Sequence, residues 1–193
     1  MLDLGPKRKI LLALLMIVSA HAAGADVIDR IVAVVAGQPI LLSDVTAARQ
    51  FQLVEIPAGA TDPIAYTAER LIDRTVMLAE VERFQPPEPD PIEMTIRVDA
   101  LERRAGSAAA FDRLLSITGM TRDDLRRYLR NDLRITTYLN QRFGANADAA
   151  DREAAIRTWL AELRKRAGVT VLMAPRSPAA PQRFSAAGST SAR

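Results

Sequence analysis

Asp123 and Asp124 stand side by side at the start of a long stretch with helical apolar spacing, and paired carboxylates are the residue types that general acid–base chemistry uses. Adjacent positions on a helix do not face each other, so the two cannot converge on one substrate atom. Thr121-Arg-Asp-Asp124 reads instead as a capping box with Asp in place of the usual Glu, and a helix start accounts for both acids. Other catalytic chemistry lacks its residues. The one histidine is His21, inside what reads as an export leader, and there is no cysteine. Beyond that leader the chain has no means for His-based acid–base catalysis, a Ser-His-Asp or Cys-His nucleophile, or a zinc site built on His or Cys. No catalytic residue, metal ligand or cofactor site is expected.

Residues 1–25 carry Lys7, Arg8 and Lys9, an apolar run over 10–18, and small residues around Ala20-His21-Ala22 and Ala23-Gly24-Ala25. This is the pattern of a secretory signal peptide, cut after Ala25 or after Ala22. The apolar run is roughly half the ~20 residues a membrane span needs, so no stable membrane insertion is expected and the periplasm is the expected compartment. Removing the leader takes Lys+Arg from 26 to 23 and Asp+Glu from 23 to 22. The whole-chain pI of 9.7 therefore overstates any case for nucleic acid, which is not expected as a partner.

Hydrophobic residues make up 49% of the chain and aromatics only 5%, so the core must be built from Leu, Ile, Val and Ala, a helical kind of composition. Apolar spacing predicts helices over 44–56, 64–84, 91–105, 108–118, 122–143 and 151–167. The run Gln85-Pro-Pro-Glu-Pro-Asp-Pro91 forces an extended connection between the second and third. In the third, Ile92, Met94, Ile96, Val98 and Leu101 do not share one face, which predicts that part of that helix stays accessible. Arg122, Arg126, Arg130 and Arg134 recur every fourth residue along the fifth. Such a stripe is either an electrostatic surface for acidic clients or a solvated face partly paired with Asp123 and Asp124, and the near-neutral charge favours the second. Residues 174–193, rich in Pro, Ser, Ala and Gly, read as a disordered tail.

Ahead of the helices, Ile31-Val-Ala-Val-Val35 and Ile40-Leu-Leu42 are two short apolar strands that predict a hairpin turning at Gly37-Gln38. Pro39 should open the second strand and face an edge, and Ser43 should cap the first helix with Asp44 in its first turn. Residues 169–173 form a third short strand, whose simplest partner is the hairpin. The fold class expected is mainly α: a multi-helical domain over 26–173 with a small antiparallel sheet joining its two ends.

The segment Val35-Ala-Gly-Gln-Pro-Ile-Leu-Leu-Ser-Asp-Val45 resembles the start of the SurA-type periplasmic chaperones. Two further segments resemble that family in order and spacing. One is Met120-Thr-Arg-Asp-Asp-Leu-Arg-Arg-Tyr-Leu-Arg130 with Ile135-Thr-Thr-Tyr-Leu139 and Arg142-Phe143; the other is Trp159-Leu-Ala-Glu-Leu-Arg164 with the terminal strand. The similarity covers about 27–173 and rests on packing patterns. Where that family commonly carries parvulin-type prolyl isomerase domains, this chain has only residues 144–150. A parvulin domain needs on the order of a hundred residues and histidines in its site, so the resemblance carries over no isomerase activity.

The resemblance implies an ATP-independent chaperone that holds unfolded outer-membrane or secreted proteins in an apolar groove between helices. Met77, Phe84, Met94, Phe111, Leu115, Met120 and Tyr128 are the candidate groove residues; each competes with a plain role in the core. Two other functions stay open: a non-catalytic envelope adaptor docking one partner, and, disfavoured, a peptidylprolyl isomerase. A homodimer that fills the groove is the further partner to consider.

Overall fold

In a computed structural model, residues 29–145 and 147–173 are described; the expected signal peptide and tail lie outside them. Two strands, β1 (Ile31–Val35) and β2 (Gln38–Leu41), lead into helices α1 (Leu42–Gln50), α2 (Pro63–Phe84), α3 (Pro91–Ala105), α4 (Ala108–Thr118), α5 (Arg122–Phe143) and α6 (Ala149–Ala167). A last strand, β3 (Thr170–Val171), returns to the start. The chain is thus mainly α with one three-stranded antiparallel sheet, ordered β2-β1-β3, as the sequence predicts.

Local chemistry sets these boundaries. The hairpin turns on Ala36 and Gly37, both at positive φ (50° and 81°), while Gln38 already pairs with Val35. The turn therefore sits one residue earlier than Gly37-Gln38, because two consecutive left-handed residues match the strand twist. Pro39 is the second residue of β2, opposite Val34 on an edge strand. Ser43 does not cap α1. The helix opens at Leu42, and the Asp44 carboxylate reaches back to accept the Leu41 N–H at 2.8 Å, while the Ser43 hydroxyl donates to Asp29.

Helix α1 stops at Gln50 rather than near 56. Gln52 takes φ 51°, its N–H donating to the Arg49 carbonyl and the Leu53 N–H to the Ala48 carbonyl, the paired bonds of a Schellman stop. Asp62, Asp90, Ser107, Thr121 and Asp148 each accept backbone N–H bonds at the start of α2 to α6. Asp148 starts α6 at Ala149, two residues before the expected start.

Two apolar clusters form. The first gathers Val32, Val35 and Ile40 of the sheet, Ile72 and Val76 of the central α2, Ile135 and Tyr138 of α5, and Trp159 and Leu163 of α6. The second holds Phe51, Leu101, Phe111, Leu115, Leu125 and Leu129. Helix α5 serves both: Leu125 and Leu129 face the second, and Ile135 and Tyr138 the first, about 9 Å further along its axis. Phe51, just past α1, reaches across to Phe111 with ring centroids 5.9 Å apart, edge to face.

The arginine stripe is neither a free surface nor paired chiefly with its own helix. Arg122 binds Glu102 of α3 and Asp112 of α4 at 2.5 and 2.7 Å, and Arg130 grips Glu88 of the proline-rich connector with two bonds of 2.6 Å. Arg134 is buried and bonds Glu82 at 2.5 Å. Only Arg126 among the four has no ion pair among the described residues. The stripe therefore ties α3, α4 and the connector to α5, which a sequence read along one helix does not reveal.

Candidate functional site

The boundary between the two clusters does not close. A cleft of about 440 Å³ opens there, with Ile40, Ala47 and Ala48 of β2 and α1 on one wall and Leu71, Arg74 and Thr75 of α2 beneath. Its other wall is Thr118-Gly119-Met120 and the first half of α5, including Asp124, Arg127 and Tyr128. A second opening of about 320 Å³ adjoins it through three shared residues, Leu53, Arg74 and Tyr128, and continues past Val54, Tyr66 and Met77 to Ile135. A larger cleft of about 630 Å³ lies where Arg30 and Met173 meet. Its walls also take in Leu42, Asp62, Ile64 and Leu172.

Of the seven candidate groove residues, Met120 and Tyr128 line the 440 Å³ cleft, and Met77 with Tyr128 lines the adjoining one. Met94 is half-buried against the second cluster. Phe111 and Leu115 are sealed inside that cluster, at 1% and 8% exposure, because α4 needs an apolar face to dock on α1 and α3. Phe84 is 59% exposed at the end of α2, where its ring meets Tyr138 at 5.4 Å; it lines neither of these clefts. The seven thus divide between cleft, core and one exposed ring rather than forming one groove.

Two residues of the site carry no mark in the sequence reading. Arg74 lies within the buried stripe of α2, where a charge amid apolar neighbours was the available signal. Its Nε donates to Asp132 at 3.0 Å and its Nη2 to the Tyr128 carbonyl at 2.8 Å. Leu53 follows the Schellman stop and packs against both clusters. It falls inside the helix expected over 44–56, which the structure ends at Gln50, so the spacing assigned it no role outside a helix face.

The electrostatics of the cleft are balanced. Burial pushes the Tyr128 phenol up to about 12, against the opposing pull of Arg74, so it stays neutral at any physiological pH. Hydrogen bonds from the Thr121 side chain and backbone hold the Asp124 carboxyl below the usual range, and Asp124 also pairs with Arg127. Arg74, Arg127 and Asp124 are therefore already matched and Asp44 is taken by the Leu41 N–H, which leaves the Met, Leu, Ile and Tyr side chains and the uncharged polar Thr75, Thr118 and Asn131 as the open contacts. Among the described residues there is no group of three or more His, Cys, Asp or Glu side chains placed to hold a metal ion. No helix of the described residues is long and apolar enough to cross a membrane.

No family model matches this chain, and no curated protein matches it.

Proposed function

We propose that the protein is an ATP-independent holdase of the cell envelope, binding unfolded outer-membrane or secreted polypeptides in the cleft between its two apolar clusters. The observation that carries this reading is the cleft itself. It is open, with flexible or small apolar side chains such as Met120, Leu53 and Ala47 set among polar ones, and its Arg74, Arg127 and Asp124 are already paired. Such a surface takes extended apolar segments without demanding one sequence, with a modest affinity per site. The SurA-type resemblance of the hairpin, of α5 and of α6 supports the same reading, and the leader-like residues 1–25 support a periplasmic location. Tyr128 held neutral and Asp124 held ionised at a helix start leave no poised acid–base pair, which supports a binding function over an enzymatic one.

The test is aggregation of an outer-membrane β-barrel protein diluted from urea, followed by light scattering. Suppression at equimolar to several-fold excess of this protein supports the holdase; none at several-fold excess removes it. A second reading, an adaptor docking one partner, draws on Ile92 and Ile96 of α3, which are 69% and 57% exposed. One stoichiometric cross-linked partner without general suppression of aggregation would favour that reading. A prolyl-peptide isomerisation assay is expected to read as buffer does.

A further inference from the structure

Leu53 lines three openings at once: the 440 Å³ cleft, the adjoining 320 Å³ opening, and one of about 600 Å³ between Arg49 and Arg104. Val54 lines the last two of these, and Ile56 the last. The segment Leu53-Val54-Glu55-Ile56 between α1 and α2 is therefore the partition that divides one trough into three.

Its attachment is one-sided. At its start the Leu53 N–H is bonded to the Ala48 carbonyl at 2.8 Å, and the next backbone bond along the chain is Ala60 N–H to the Pro57 carbonyl at 3.0 Å. Among the described residues, no hydrogen bond reaches the backbone of Val54, Glu55 or Ile56. Side chains alone hold them, Leu53 and Val54 half-buried against the core. Glu55 shares its opening with Arg70 and Arg74 yet pairs with neither, since Asp73 and Asp132 occupy them. At the upstream end Gln52 is held at φ 51°, a left-handed conformation that costs a side-chain-bearing residue energy and is relieved if the segment swings away.

We infer that residues 53–56 are a displaceable strap, a mostly apolar segment of this chain, bent at Val54 and lying in the trough as an internal stand-in for the polypeptide client. The inference rests on the holdase reading and adds both a regulation and a ligand chemistry. The site takes a non-helical segment with apolar residues at the Leu53, Val54 and Ile56 positions and tolerates an acid between them. Client and strap compete for the same walls, so the affinity measured is the intrinsic affinity reduced by the fraction of molecules whose strap is out.

The absence of native cysteine makes the test clean. In a Val54→Cys, Met77→Cys variant the two thiols share one opening, and a short bis-maleimide bridges them; the same variant capped singly with N-ethylmaleimide is the unbridged control. Thermal melting checks that both forms are folded. Binding is read by anisotropy of a fluorescein-labelled, carboxymethylated, permanently unfolded polypeptide. Bridging is expected to weaken binding about tenfold or more, because it removes the competent state, while Val54→Ser with Ile56→Ser tightens it about threefold. Equal affinity of bridged and unbridged protein overturns the strap and leaves the holdase standing. Binding by none of the forms, the polar strap variant included, overturns both.

Discussion

Arg74 stands over the ring of Tyr128, its Cζ 3.7 Å from the ring centroid, while its Nη2 bonds the carbonyl of the same residue. One guanidinium on α2 thus fixes both the side chain and the backbone of a cleft residue on α5. Its Nε is taken by Asp132 one turn further on. No lysine can make this set of contacts, because it needs a planar fork with separate donors and a face.

Replacing Arg74 with Met keeps the aliphatic stem and removes the fork. The expected loss is about 2 kcal/mol in urea unfolding, from two hydrogen bonds and one cation–π contact at a half-buried site. A loss below about 0.5 kcal/mol would mean that Arg74 does not tie α2 to α5.

Phe111→Ala is expected to cost about 3–5 kcal/mol, since the side chain is 1% exposed at the centre of the second cluster. Phe51→Ala should act on the same unit. A double-mutant cycle between them should return a coupling of about 0.5–1.5 kcal/mol, the range for an edge-to-face pair. Additive effects would show that the Phe51 contact does not join α1 to the second cluster.

Two carboxylates should give stability opposite pH dependences. The hydrogen bonds from Arg130 hold Glu88 below its ordinary 4.5, so its contribution is full above 4.5 and is lost as pH falls through the native value. Burial raises Asp73 above its ordinary 3.8 against the pull of Arg164 and Arg70. Native Asp73 keeps its proton to higher pH than the unfolded chain, so its contribution is full below 3.8 and is lost as pH rises through the native value. Urea unfolding from about pH 3 to pH 6 should show wild type gaining on Glu88→Gln as pH rises, and losing ground to Asp73→Asn. Parallel curves for either pair would discard that assignment.

Gln52→Gly should stabilise the protein by about 0.5–1 kcal/mol, because glycine takes φ 51° without the clash that a Cβ brings. A lower melting temperature would mean that the Gln52 side chain does more than occupy the stop.

The helices were largely legible because their ends carry short-range chemistry. Asp62 before Pro63 and Thr121 before Asp124 are capping residues within three positions of the N–H groups they satisfy. Strand β3 was legible for another reason: an apolar β-branched segment after the last helix has one sheet to join. Ala36 was not legible, since nothing about alanine marks it for positive φ; its neighbour Gly37 drew the turn one residue late. Nor was the pairing of Arg130 with Glu88, 42 positions away, because helical spacing specifies a face and not its partner. The cleft was half legible for the same reason. Met120, just before α5, and Tyr128, within it, stood out as apolar residues, whereas the division of α5 between two clusters, which opens the cleft, depends on how α3 and α4 fold back.

In the sheet, Ala33 pairs with Val171, 138 positions later. Among the described residues, the most deeply enclosed strand therefore gains its second neighbour only after all six helices have been synthesised. Such a distant contact raises the contact order and slows the final folding step, however fast the helices form. A polypeptide truncated after Gly168 would keep every described helix but leave one side of β1 bare, an open template for pairing with another molecule.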